Sequence, residues 1–581
     1  MKRFIFYILI IPQLALAHGV EQQIKSEYTS GKISFEEYLV NTALSIYAPE
    51  KLSSRYTVET TSRPQKSGTF IAALIKTHWD SLSPENQALL KTYIFRPTFP
   101  YNAVSPSGQF RVHYQMTGTN AVSPVDIDPD NGIPDYVDAV MESFDYSHNI
   151  ETSYLGLNSP PTDNGEGGGN EFDIYIKNFS RIYGQTIFEA SLPADETRYV
   201  SYIEIDNNYY GFPTSGRDGL RVTSAHEYFH AIQMGYRFTP DGPKFWEDEV
   251  FFYEISSTWM EDMVYDDIND YYYYLDNFFY SINKPFDTYD GSYEYGNCLW
   301  NHMLSKKYGA EIIVEIWEEI VDYPVLEAID RTLMKHGSSF QNELIDYSIW
   351  NYFTGSRADT INYYEEGHYY DEVQVEVDQN FVSDFTLKSQ SAQLAYSYYR
   401  FYDPETNMTT VLIPLNLEDN IGVQSDLTLD ISRITSNLFT SITSNFKVRF
   451  VVDSRYDWYG HAITFFDDSQ YTLSNFEAVQ PDMIDMDGMV LSYGPNPLRP
   501  GIDDVFNVSY MIEDIEDVTI AIFMEDGSLV KKFELKSVAS GINSFSWKTS
   551  ELGEFPGGSG IYFLLIQTDQ DKELIKFAVL R

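Results

Sequence analysis

Apolar residues recur three and four positions apart through residues 31–46 (GKISFEEYLVNTALSI), and again through residues 69–93, inside otherwise polar sequence. That period predicts amphipathic helices. The pattern changes to alternation at Phe110-Arg111-Val112-His113-Tyr114 and Phe172-Asp173-Ile174-Tyr175-Ile176, where β-branched and aromatic residues predict strands. A helical period returns at Val222, Ala225, Phe229, Ile232 and Tyr236, a stripe that buries one face of a helix. Thr239-Pro240-Asp241-Gly242-Pro243 is a dense turn signal, so the chain leaves that helix and reverses, most simply into a helical hairpin. From about Phe385 onward, short strand-like runs such as residues 409–414 and 447–452 alternate with polar turns. The final stretch repeats the pattern with residues 518–523, a turn at Asp526-Gly527, and residues 560–566.

These segments predict a helical N-terminal region over residues 18–105, an α+β domain over 106–380, a β-sandwich over 385–490 and a second, separate sandwich over 492–581. A chain of 581 residues is too long for one core, which agrees with several domains. Residues 1–17 stand apart from the fold. Lys2 and Arg3 precede an apolar run over residues 4–14, and Ala15-Leu16-Ala17 supplies small residues for cleavage, together the pattern of a secretory signal peptide. The expected product is secreted, extracellular or retained at the cell surface, and no later apolar run has the length of a transmembrane segment. The helical N-terminal region reads equally as a pro-segment that blocks a site until cut and as a permanent cap.

Charge narrows the partners. With 86 acidic against 39 basic residues, the formal charge of -47 repels phosphate backbones and anionic lipid, which excludes nucleic acid and suits hard cations such as Ca2+. The single cysteine, Cys298, rules out an intramolecular disulfide. It reads as a buried structural residue, although His302 lies one helical turn on.

The candidate chemistry sits in Ser224-Ala225-His226-Glu227-Tyr228-Phe229-His230-Ala231-Ile232-Gln233. Histidines four apart share one helix face, so His226 and His230 can present two imidazoles to one Zn2+, with Glu227 beside a metal-activated water. The third ligand must come from another segment. In an antiparallel pair of helices reversing near Asp241, Glu254 comes level with His230, whereas Glu247 and Glu249 lie too near the turn and Glu261 and Asp262 lie beyond it. Glu261 or Asp262 could instead accept the free ring N–H of a ligating histidine. A second metal, Ca2+, is expected at the acidic stretch of Asp126, Asp128, Asp130, Asp135 and Asp138, where alternating carboxylates precede Gly132; the alternative is an acidic turn without an ion.

These residues resemble gluzincin zinc metallopeptidases, in particular exported bacterial metalloproteases. The likeness covers residues 110–317 and rests on Phe110-Arg111-Val112-His113-Tyr114, Asn131-Gly132-Ile133-Pro134-Asp135-Tyr136-Val137, the HEYFHAIQ helix, Thr258-Trp259-Met260-Glu261-Asp262 and Tyr295-Gly296. It implies an α+β zincin-like metallopeptidase domain and an endopeptidase acting on protein or peptide substrates. Its implied zinc ligands are His226, His230 and Glu254, with Glu227 as general base. Tyr295 is the implied oxyanion donor, with Tyr293 and His302 behind it. Ile255 and Ser257 stand where the family pattern has Gly and Ala. The chain from Pro495 onward, with the Gly-Pro-Asn-Pro-Leu-Arg-Pro-Gly opening at residues 494–501, Gly541-Ile542-Asn543 with Trp547, and Ser559-Gly560-Ile561-Tyr562, resembles immunoglobulin-like modules of the FlgD-like and type IX secretion sorting kinds, which implies export or surface display through recognition by secretion machinery. The competing reading is a non-catalytic cell-surface binding or structural protein with a degenerate zincin domain.

Overall fold

Burial and capping set the local elements. The computed structural model describes residues 20–56, 64–242 and 244–373, and beyond them the strands and short connections placed between residues 377 and 579. The signal peptide expected at residues 1–17 and the Asp526-Gly527 turn lie outside the described residues. The chain divides into two units, one of residues up to 374 with 392–397, the other of 375–391 with 398 onward.

The first unit opens with α1 (Val20–Thr29) and α2 (Phe35–Tyr47). A reciprocal cap starts α2: the Ser34 hydroxyl accepts the Glu37 N–H, and the Glu37 carboxylate accepts the Ser34 N–H. Then come β1 (Gln65–Ser67), α3 (Thr69–Thr77), α4 (Pro84–Ile94), β2 (Tyr101–Val104), β3 (Phe110–Tyr114), α5 (Asp135–His148), β4 (Phe172–Lys177), β5 (Ile182–Leu192), β6 (Asp195–Asp206) and α6 (Gly216–Tyr236). The six strands form one mixed sheet in the order β1-β5-β6-β4-β3-β2. β1 runs parallel to β5, β5 antiparallel to β6, and β6, β4 and β3 run parallel.

Helices cover both faces of this sheet. α6 crosses β5 and β6, with α5 beside it against β3. On the other side Leu39, Ala43, Ile46, Ile71, Ile75, Leu90 and Ile94 from α2, α3 and α4 share a core with Tyr175, Ile182, Ile187 and Tyr202 of the strands. The N-terminal helices are therefore a layer of the first unit, and β1 and β2, both ahead of the expected boundary at residue 105, are strands of its sheet. Lys66 and Ser67 give β1 no apolar signature, so its place in the sheet comes from tertiary partners.

Seven further helices complete the unit: α7 (Val250–Val264), α8 (Tyr272–Tyr280), α9 (Tyr293–Gly296), α10 (Leu299–Tyr308), α11 (Glu311–Ile320), α12 (Val325–Lys335) and α13 (Phe340–Tyr352). The turn after α6 closes through the Gly242 N–H, which donates to the Thr239 carbonyl at 2.8 Å. A short π-helical turn over Phe245–Glu249 leads into α7, which packs beside α6.

The second unit is built of strands. A three-stranded and a five-stranded sheet occupy its first part, the latter including Val377–Asn380, Tyr396–Tyr402 and Phe446–Val452. Its last part pairs Val490–Gly494, Val505–Ile512 and Gly541–Lys548 in one sheet, and Glu516–Met524, Leu529–Val538, Gly560–Gln567 and Lys572–Val579 in another. Phe506, Val508, Tyr510 and Trp547 from the first sheet meet Ile520, Ile522, Leu564, Ile566 and Phe577 from the second in one apolar core. Among the described residues, no helix is long and apolar enough to cross a membrane.

Candidate metal centre

α6 is buried along almost its whole length and lies tight against β5. Gly184 permits this approach: a Cβ there would stand 2.8 Å from Thr223 Cγ2 and 3.0 Å from Glu227 Cγ. The hairpin then brings α7 alongside, and three acceptor atoms converge. His226 Nε2 lies 3.1 Å and His230 Nε2 3.4 Å from Glu254 Oε2, and ligand atoms of these three residues all fall within 4.8 Å of one another.

Each imidazole is oriented through its other nitrogen. Glu261 Oε1 accepts from His226 Nδ1 at 2.7 Å. Gln233 Oε1 lies 2.8 Å from His230 Nδ1, with Ser257 Oγ at 3.1 Å, and the Gln233 amide is held in turn by the Tyr253 carbonyl and Ser257 Oγ. This network favours the Nδ1–H tautomer of both rings, in which both Nε2 lone pairs face Glu254. Two imidazole nitrogens and a carboxylate oxygen of this kind suit Zn2+. His230 Nε2 is buried and has no hydrogen-bond partner, which suits an atom available to ligate a cation. Burial pushes His226 down to about 4 and His230 down to about 3, so both rings are neutral near pH 7 and free to ligate. Burial also raises the Glu254 carboxyl above the ordinary range.

Glu227, one residue after His226, turns toward β5. Its Oε2 accepts from Thr186 Oγ1 at 2.8 Å and from Thr69 Oγ1 at 3.0 Å, while Oε1 is buried without a partner. Burial, opposed by the Thr186 hydrogen bond and reinforced by the Glu254 charge, raises its pKa to about 8. The cluster is closed to solvent: His226 is 2%, Glu227 0%, His230 1% and Glu254 1% exposed.

The other expected residues divide. Tyr295, on α9, is buried with its ring 6.4 Å from that of His226, and burial and the Glu254 charge raise its hydroxyl well above the ordinary tyrosine range. Tyr293 points elsewhere, packing on Phe278 and donating to the Lys284 carbonyl. His302 stacks on Tyr271, and its Nδ1 lies 3.8 Å from Asp262, so these two residues form a separate pair and Glu261 alone orients His226. Ser257, in place of the small residue of the resembled pattern, supplies a hydroxyl to His230, and Ile255 is fully buried. Cys298 is buried, and burial holds its thiol well above the ordinary range.

The five aspartates are not gathered in the same way. Asp126 accepts the Asn131 and Gly132 N–H groups, Asp135 accepts those of Ile127 and Asp128, and Asp138 accepts from the Asn131 amide. Asp128 and Asp130 are exposed. Three carboxylates thus serve the loop's own donors, and among the described residues the five form no common ligand group.

Four neighbours escaped sequence reasoning: Lys66, Thr69, Phe70 and Thr186. Lys66 ion-pairs with both Glu261 and Asp270, and Phe70 stands edge-on to His230 with ring centroids 5.3 Å apart. Each comes from β1, α3 or β5, far from the HExxH helix in sequence, and none carries a motif.

A family model described as Family of unknown function (DUF6055) matches residues 214–400, a stretch that contains α6, α7 and the three converging residues His226, His230 and Glu254. No curated protein matches the chain.

Proposed function

We propose that the protein is an exported zinc-dependent endopeptidase, with His226, His230 and Glu254 holding the metal and Glu227 acting as general base. The observation that carries this reading is the convergence of two imidazole nitrogens and one carboxylate oxygen beside a glutamate on the same helix. A bound Zn2+ supplies Lewis acidity, lowering the pKa of a water and polarising a peptide carbonyl. Glu227 takes the proton from the attacking water and returns it to the leaving amine. Glu261 and Gln233 hold the two rings in the ligating tautomer. Tyr295 is the donor for the developing oxyanion. The resemblance of the C-terminal module to sorting domains supports export or attachment rather than catalysis.

Purified protein should contain about one zinc per chain. Glu227→Gln should keep that zinc and lower casein hydrolysis by roughly 10²–10⁴-fold, the usual worth of a general base. Full burial of the cluster favours one other reading, a surface binding or structural protein whose metal does not turn over. Wild-type protein that holds zinc and cleaves no peptide or ester substrate under any activating condition would establish that alternative.

A further inference from the structure

The side chains that must meet a substrate are buried beneath the connection between β1 and α3. β1 lies along the outer edge of β5, with Gln65 opposite Ile182 and Ser67 opposite Gly184. The Gly68 N–H donates to the Gly184 carbonyl at 2.9 Å, and Thr69 Oγ1 accepts the Thr186 N–H at 2.7 Å. These are the edge groups that an extended peptide would otherwise pair with. Immediately after β1, Thr69 donates to Glu227, and Phe70, 2% exposed, places its ring against His230. The segment thus contacts both the expected base and one expected ligand.

We infer that residues 65–70 form an intramolecular plug that holds the metal centre shut until it is displaced from β5. This rests on the zinc endopeptidase reading and adds its regulation. Lys66 is the anchor. Buried at 3% exposure, it pairs with Glu261 and Asp270, and Tyr183 donates to the second Asp270 oxygen at 3.2 Å. Burial opposes its charge, but Asp270 and Glu261 outweigh that and hold its pKa above the ordinary lysine value. Gly68 is the point of closest approach, since a Cβ there would lie 2.6 Å from Gln185 Oε1 and 2.7 Å from Ile182 Cδ1. Ile71 and Ile75 of α3 share a core with α2, α4 and the strands, so opening is confined to β1, Gly68 and the first residues of α3, Thr69 and Phe70.

The test uses the full chain, zinc-loaded, with a peptidyl hydroxamate as a probe of metal access, read by titration calorimetry beside casein hydrolysis. Lys66→Met removes the anchor and Gly68→Val wedges the segment off β5. Both should keep about one zinc per chain and bind the hydroxamate at least about tenfold tighter than wild type, because a rarely open site lowers apparent affinity by its open fraction. Casein hydrolysis should rise in parallel. Phe70→Ala, which removes only the ring over His230, should shift binding in the same direction and decides the matter if the other two do not fold. Zinc-loaded wild type that binds the probe as tightly as the variants overturns the plug alone, as does loss of zinc from folded variants, which would make the segment a positioning part of the site. Wild type that holds no zinc overturns the metal-centre reading, and the plug with it.

Discussion

Glu261 fixes the orientation of the His226 ring. Its carboxylate accepts the hydrogen bond of the Nδ1–H and leaves Nε2 toward Glu254, so Glu261→Gln should lower zinc affinity by roughly 10–100-fold with the fold retained, measured by competition with a chelator. Asp262 next to it behaves differently. Burial, with the charges of Glu366 and Asp266, pushes its carboxyl up to about 8, and its Oδ1 has no partner. The folded protein therefore keeps a proton that the unfolded chain loses near pH 4, and stability falls as pH rises from there toward 8. Asp262→Asn should accordingly gain stability over wild type, by about 1–3 kcal/mol at the top of that range. The melting-temperature gap should widen between about pH 5 and about pH 8; a constant gap would show that Asp262 does not titrate in this way. At this scale the HExxH pair was legible because its spacing is itself the geometry of one helix face. Glu254 was reachable by counting from the turn at Asp241. Lys66 and Thr69 were not, because only the pairing of β1 with β5 carries them to Glu261 and Glu227.

The contact between α6 and β5 is the element that sets the position of Glu227. A methyl at position 184 would meet Thr223, Glu227 and the Glu204 carbonyl within 3.1 Å, so Gly184→Ala should cost about 1–3 kcal/mol by overpacking and displace Glu227. The expected outcome is lower thermal stability together with reduced turnover at unchanged zinc content. Equal stability would show that α6 can shift without loss. β3 and β4 were readable from alternation, but β5 and β6 were not. Residues 182–188 and 200–206 are buried at every position, so Gly184, Gln185, Thr186, Ser201 and Glu204 interrupt the apolar signal while lying inside the fold. The α6–α7 hairpin was readable because its turn is so densely marked, whereas the π-helical entry to α7 has no comparable signature.

Across the whole chain, the strand-rich second unit was legible as strands and as sandwiches, but not in the order or register of its sheets, since register depends on partners far apart in sequence. Its core around Trp547, Phe506 and Phe577 contains none of the proposed zinc ligands. Metal removal should therefore act on one unit. Calorimetry in chelator should lower the transition of the first unit by about 3 kcal/mol relative to zinc at ~100-fold excess over its Kd, and leave the transition of the C-terminal strands in place. A uniform shift of the whole profile would contradict a single metal centre in the first unit. The most direct test of the account is zinc-edge X-ray absorption on the purified full chain beside His230→Ala and Glu254→Gln. It should report about one zinc per chain with two imidazole nitrogens and carboxylate oxygen in its shell, and both substitutions should alter that shell or empty it. Absence of stoichiometric zinc, or a ligand shell that neither substitution changes, would contradict it.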